Sequence, residues 1–286
     1  MLDPQSILEA RTIARTYGKG YYRATSFFPK AQREATWVLY AFFRLPDQIV
    51  DEEHDTERAL AQLDSWRRQW SALVSGQVAQ NVHPILIAAH YVHEKYRIPY
   101  HYSEVFLACM AQDLTVARYK TYTSLEDYMY GSASVVGIMM SYIIGFADGA
   151  LPYAKALGEA MQLTNFLRDV DEDYVERGRV YLPQEDMAIY GVTEGHIEMR
   201  IVDDQWVALM RYEIARARVL FREGNKGIPL LHSRGRRAVA VASVLYEGIL
   251  DTIEKNGYDV FRQRARTSRL GKLRRIMQTL LWNKNQ

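Results

Sequence analysis

Asp47 and Asp51 stand four residues apart at the end of the run Trp37-Val38-Leu39-Tyr40-Ala41-Phe42-Phe43-Arg44. A second set, Asn165, Asp169 and Asp173, repeats at i, i+4 and i+8, with Gln162 one turn earlier and Leu163, Phe166, Leu167 and Val170 beside it. Residues four apart on a helix return to nearly the same face, about 6 Å further along the axis. Amide and carboxylate oxygens lined up among apolar residues are costly unless a partner compensates them. A hard divalent cation is such a partner, and Mg²⁺ accepts one or two carboxylates together with substrate phosphates and water. The first pair alone also reads as a helix reaching water, because Glu52, Glu53 and Asp55 follow it. The second stripe shifts the balance toward metal.

Bases accompany both stripes. Arg44 precedes Asp47 by three residues, Arg168 abuts Asp169, and Arg177 and Arg179 follow. Arginine stays charged and matches phosphate oxygens bidentately, so the combination suggests a metal-bound diphosphate. Each arginine taken singly reads more readily as a salt-bridge partner. His90 and His93, three apart beside Glu94, have no partner motif and read as ordinary surface histidines, which leaves a helical metal hydrolase without its ligands. The one cysteine, Cys109, excludes an intramolecular disulfide framework and any cysteine-built metal centre.

The elements that must position these residues are helices. Apolar periodicity and start signals predict helices over 31–52, 56–75, 83–95, 103–117, 124–148, 152–174, 195–223, 234–255 and 270–281, with one more opening at Asp3-Pro4. Seventeen Gly and eight Pro in 286 residues are too few for a turn-rich β fold. A 48% hydrophobic, 24% charged composition argues for a folded chain. No apolar run reaches bilayer-spanning length and no signal-peptide core opens the chain. The reading is one all-α domain over residues 1–286 with a basic C-terminal segment, 257–286. That segment holds eight Lys/Arg against Asp259 alone, so the remaining 256 residues carry a net −5 within an overall +2.

Asp47-Gln-Ile-Val-Asp51, Gln162-Leu-Thr-Asn-Phe-Leu-Arg-Asp-Val-Asp-Glu-Asp173 and Arg177-Gly-Arg-Val-Tyr-Leu-Pro183 together resemble the squalene/phytoene synthase family. Tyr128-Met-Tyr130-Gly-Ser-Ala-Ser-Val-Val-Gly137 is similar to that family's Tyr-x-Tyr-Gly-x-Ala-Gly-x-Val-Gly segment. The resemblance implies a class I prenyltransferase (isoprenoid synthase) helical bundle around a central cavity, with two aspartate-rich helices facing across its mouth. It makes Asp47, Asp51, Asn165, Asp169 and Asp173 the metal residues and the same four aspartates, with Tyr130, the catalytic set. Arg44, Gln162, Asn165, Arg168 and Tyr246 would bind the substrate. Several positions depart from the family pattern: Gln48, Asp171, Ser134, the internal Pro46, and Gly18-Lys-Gly20 in the flap. Pro46 leaves the Phe42 carbonyl without its backbone donor, which predicts a local kink.

The implied chemistry is head-to-head joining of two prenyl diphosphates through a cyclopropyl intermediate. The tail Asn256-Gly-Tyr-Asp-Val-Phe-Arg and the Arg179-Val-Tyr-Leu-Pro183 run resemble the bacterial-type phytoene synthases of the family, which implies geranylgeranyl diphosphate and the prephytoene intermediate. Squalene, dehydrosqualene or presqualene diphosphate formation from farnesyl diphosphate is the alternative within the family. Mg²⁺, with Mn²⁺ as a substitute, is the expected cofactor and NADPH is not expected. Ala133, Val136, Ile138 and Met139 are candidates to line the chain-binding cavity. A helical module that binds membrane or nucleic acid through the tail would explain the bases but not the acid stripes. The expectation is therefore a cytoplasmic enzyme without nucleic-acid partners, touching membranes peripherally through Arg262–Arg275 and the apolar residues among them.

Overall fold

The computed structural model describes residues 2–77, 81–265, 271 and 275. Its α-helices, in chain order, are α1 (Pro4–Tyr17), α2 (Lys19–Ala24), α3 (Lys30–Glu52), α4 (Thr56–Val74), α5 (Pro84–Tyr96), α6 (Tyr100–Gln112), α7 (Tyr122–Met129), α8 (Val135–Ile144), α9 (Leu151–Arg168), α10 (Val170–Arg177), α11 (Gln184–Ile189), α12 (Glu194–Glu198), α13 (Asp204–Asn225) and α14 (Ser233–Lys255). A π-helical turn, Tyr130–Ser134, joins α7 to α8. Among the described residues, pairing of extended chain is limited to two isolated bridges, Arg118 with Val180 and Phe146 with Leu231.

Side-chain caps set many of the starts. Asp3 accepts the Ser6 amide at α1, Asp55 accepts two amides at α4, and Asp203 accepts the Trp206 amide at α13. Thr121 and Ser124 form a reciprocal capping box at α7. One large core runs through the molecule, with Phe42, Trp70, Trp206 and Phe221 almost wholly buried. Each such ring contributes about 1.5–3 kcal/mol of apolar burial. In α3, the residues Trp37, Val38, Leu39, Phe42 and Phe43 face this core.

Helix α9 is central, packed against α8, α13, α14 and the π turn. Its approach to the π turn and α8 depends on two glycines. A Cβ on Gly158 would lie 2.6 Å from the Ala133 carbonyl oxygen, and one on Gly137 would lie 2.6 Å from that of Ala154.

Several boundaries differ from those the sequence predicts. The stretch 124–148 is three pieces, because the π turn interrupts it and it ends at Gly145. Helix 152–174 breaks at Asp169, whose φ of −106° and ψ of 16° leave the helical region. Even so, the Asp169 amide donates to Asn165 O (2.9 Å) and the Asp173 amide to Asp169 O (2.8 Å), so the polar face continues through the break. Ser103 does not start a helix; α6 begins at Tyr100 after Pro99, and Ser103 is buried with its hydroxyl on His93. The 195–223 stretch is two helices, and α11 occupies a loop region opened by Pro183. Pro46 lies within α3, which runs on past it to Glu52. The predicted helix 270–281 lies outside the described residues apart from Gly271 and Arg275, both helical. Among the described residues, no helix is long and apolar enough to cross a membrane.

Candidate functional site

Arg177 ties the two acidic motifs together. Its Nε donates to Asp51 Oδ1 (2.9 Å) and its Nη1 to Asp173 Oδ1 (3.2 Å), so the end of α3 faces α10. Arg44, one turn before Asp47 on α3, pairs with Asp47 and lies 3.8 Å from Asp51. Arg168 donates from Nε to Asp169 Oδ1 at 2.7 Å. Arg264, from the segment after α14, grips the same carboxylate with two bonds of 2.8 Å and reaches Glu172 at 3.0 Å. Asn165 donates to Gln162 Oε1 at 3.3 Å, so the two amides sit together on α9. The structure thus brings Arg44, Asp47, Asp51, Gln162, Asn165, Arg168, Asp169 and Asp173 to the α3, α9 and α10 faces, interleaved with arginines.

The carboxylates are not equally satisfied. Burial, and next the charge of Asp51, push Asp47 up to about 6 against the pull of Arg44. Its side chain nevertheless keeps 41% of its surface accessible, as a group enclosed by protein yet facing a recess does. Burial and then Asp169 push Asp173 up to about 7, with Arg177 opposing. Burial would also raise Asp169, but the bonds and charges of Arg168 and Arg264 outweigh it and hold that carboxyl low. A carboxylate whose charge is disfavoured by a like neighbour gains from an added cation. Oxygen-only donors suit a hard ion such as Mg²⁺. Asp47 and Asp51 from α3, with Asn165, Asp169 and Asp173 from α9 and α10, could hold it. Among the described residues no three acidic, histidine or cysteine side chains already converge as a metal cluster, since guanidinium groups stand between the carboxylates. Arg44 Nε is buried without a hydrogen-bond partner, and its guanidinium lies over the Tyr17 ring at 4.8 Å.

Phenols line the space between the motifs. Tyr21 of α2 stacks on Tyr40 of α3 with ring centres 5.0 Å apart and donates to Met140 Sδ at 2.9 Å. Burial pushes Tyr40 up to about 12 against the pull of Arg44, with Asp47 and Tyr246 adding to the rise. Burial also raises Tyr246 of α14, whose charged neighbours are Arg168 and Asp169. All three stay neutral hydrogen-bond donors at physiological pH. Tyr130, half-buried, opens the π turn beside Tyr102, a phenol raised by burial and then by Tyr142 and Tyr130.

Four residues were expected to line the cavity, and the structure divides them. Ala133, Ile138 and Met139 are buried, Met139 completely and against Ser103, while Val136 is half-buried. Met140, one turn beyond Val136 and also half-buried, takes the Tyr21 hydroxyl instead. His93 is a correction: it is 1% exposed rather than on the surface, bonded to Ala89 O and Ser103 Oγ, and burial lowers it to about 4. The departures from the motif find local partners. Ser134 donates to the buried Glu159 at 2.8 Å, Asp171 pairs with Arg200 at 2.8 Å, and Gln48 donates to Glu52 at 3.1 Å. Sequence reasoning missed Tyr21 and Tyr40 as site residues and counted Arg264 only as a tail base. Aromatic type beside Gly18-Lys-Gly20 for Tyr21, and in the run before Asp47 for Tyr40, could have pointed to the tyrosines; Arg264 lies 95 residues from Asp169, with no local signal.

Comparison with known proteins matches this geometry to a family. The squalene/phytoene synthase family model matches residues 14–271. A 15-cis-phytoene synthase from Synechocystis sp. is 36% identical over 268 residues, covering 89% of this chain and 78% of the relative. One from Synechococcus elongatus is 35% identical over 270 residues, covering 90% and 86%. Among solved structures, a ligand-bound dehydrosqualene synthase superposes with a TM-score of 0.90 at 28% identity, covering 99% of this chain and 98% of its own. A squalene synthase from Alicyclobacillus acidocaldarius gives a TM-score of 0.81 at 26% identity, covering 89% and 95%. With its paired acidic motifs on the all-α fold of those synthases, the chain belongs to the squalene/phytoene synthase family.

Proposed function

We propose that this chain joins two geranylgeranyl diphosphates head to head, through prephytoene diphosphate, to give phytoene and two pyrophosphates without nicotinamide. The observation that carries the reading is the Arg177 bridge from Asp51 to Asp173, which sets two carboxylate motifs opposite each other with bases between them. The phytoene synthases at 35–36% identity support the choice of substrate.

Asp47, Asp51, Asn165, Asp169 and Asp173 would hold Mg²⁺, with Mn²⁺ as a substitute, which when bound supplies Lewis-acid neutralisation of the leaving pyrophosphate. Arg44 and Arg168 offer forked donors to the phosphate oxygens, and Gln162 adds an amide. Tyr246, beside Arg168, donates from a neutral phenol at the same end. As an allylic carbon–oxygen bond breaks, pyrophosphate leaves and the cation adds to the double bond of the second chain. Proton loss closes the cyclopropane. The second ionisation and rearrangement end in loss of another proton, which forms the central triene. The faces of Tyr130, Tyr40 and Tyr21 stabilise positive charge along this course. Apolar walls that include Val136 and Met140 keep water from capturing it.

The 28% identical dehydrosqualene synthase favours farnesyl diphosphate as the competing substrate. One assay decides: farnesyl and geranylgeranyl diphosphates in competition with Mg²⁺, with and without NADPH, and hydrocarbons identified by mass. The expected product is a C40 hydrocarbon, indifferent to NADPH. Exclusive C30 product, or a requirement for NADPH, would overturn the phytoene reading.

A further inference from the structure

Tyr130 opens a π turn in place of an ordinary helical one. The Val135 amide donates to the Tyr130 carbonyl, five residues back, whereas the Tyr130 amide still donates to the Glu126 carbonyl in the α pattern. Such turns are rare and gather at functional sites, so neighbours must hold this one open. Reversion to α geometry would slip the register by one residue. Side chains before the turn would then rotate by about 100° against those after it.

Close packing holds the turn from two sides. A Cβ on Gly131 would stand 2.6 Å from Cys109 Cβ of α6, and one on Gly158 of α9 would stand 3.2 Å from Ser134 Cα. The polar hold comes from α9, and none of the roles above uses it. Ser134, the last residue of the turn and fully buried, donates from its hydroxyl to Glu159 Oε1 at 2.8 Å. Glu159 is 2% exposed, and the same oxygen lies 3.4 Å from Lys155 Nζ, one turn earlier on α9. Lys155 also reaches Glu126, one turn before Tyr130, at 3.5 Å. Two side chains of α9 at i and i+4 thus grip both flanks of the turn, Glu126 ahead of Tyr130 and Ser134 behind it. The Lys155–Glu126 pair is partly exposed and contributes little. The Ser134–Glu159 bond is shielded from water, where a lost partner is costly. Glycine, the residue of the family pattern at position 134, has no hydroxyl, so this bond belongs to this chain and not to the family motif.

We propose that Ser134 and Glu159 are positioning residues: their bond fixes the π register and with it the placement of the Tyr130 ring for the reaction. The proposal rests on reading Tyr130 as a member of the catalytic set.

The test places a fluorotyrosine at position 130 of the full chain, whose fluorine resonance reads the surroundings of the ring without substrate. Steady-state turnover of geranylgeranyl diphosphate is measured beside it. Four proteins are compared: wild type, Ser134→Ala, Glu159→Gln and the double variant. Ser134→Ala should move the resonance and lower kcat about tenfold with KM within about twofold, since misplacement by about 1 Å can cost up to a hundredfold. Glu159→Gln keeps a carbonyl acceptor for the hydroxyl and should stay near wild type in both readouts. The double variant should match Ser134→Ala, because the bond is already gone. A resonance unmoved in Ser134→Ala overturns the proposal, and so does a moved resonance with unchanged kcat. Glu159→Gln as impaired as Ser134→Ala also overturns it, since charge rather than the bond would then matter. If Ser134→Ala gives no cooperative melt, Glu159→Met, which removes the acceptor at similar volume, is read by the same criteria. Tyr130→Leu with wild-type turnover removes the role of Tyr130 and the proposal with it. That outcome is distinct from an inactive Tyr130→Leu beside an indifferent Ser134→Ala.

Discussion

Asp173 carries a charge that the folded chain disfavours. Its pKa is raised from 3.8 to about 7 by burial and then by Asp169. Between those two values the folded state holds a proton that the unfolded state has released, so this group makes stability fall as pH rises from about 4 to 7. Above about 7 the full cost is present. Asp173→Asn should therefore melt a few degrees higher than wild type at pH 8, with the gain shrinking toward pH 4. Turnover of the same variant should drop at least a hundredfold, on the order of 3 kcal/mol of transition-state stabilisation. Thermal melts at the two pH values and a pyrophosphate-release assay check both halves. Lower stability with normal turnover would mean the carboxylate serves the fold instead. Asp47, raised to about 6, follows the same sign.

At the scale of elements, the close approach of α9 to the π turn sets Gln162, Asn165 and Arg168 relative to Tyr130. Gly→Ala in a helix ordinarily gains up to about 1 kcal/mol. At Gly158 the added methyl meets the Ala133 carbonyl at 2.6 Å, backbone that cannot swing aside. Gly158→Ala should instead lose about 1–3 kcal/mol, as overpacking does, and lower turnover as Tyr130 shifts. A melt at or above wild type would show that the helices separate without penalty. What the sequence made legible follows the same division. The i, i+4 aspartates could be read because helical periodicity fixes which residues share a face. The hydrophobic run before Asp47 likewise predicted a long helix into the core, as found in α3. The break at Asp169 and the π turn could not be read, since both are local departures forced by contacts across the fold. Arg264 and Glu159 were illegible for a related reason: a lone residue has no period, and their partners Asp169 and Ser134 lie far away in the chain.

Over the whole molecule, charge is unevenly spread, with a net +7 on residues 257–286. Most of those bases lie outside the described residues, but Arg275 folds back to pair with Asp251 of α14, and Arg264 is spent on Asp169 and Glu172. Part of the tail's charge is thus turned inward. We expect weak association with anionic liposomes, lost as salt rises through the Debye-screening range. Co-sedimentation indifferent to both anionic lipid and salt would rule out this mode of membrane contact. The arginines threaded between the aspartates have a consequence for how such an enzyme is made. Because the chain supplies its own counter-cations, a newly synthesised molecule can fold with its acidic helices side by side before it meets any dissolved metal. A chelator would then idle the enzyme without unravelling it, and a cell short of the divalent metal would keep a stock of intact protein waiting to be switched on.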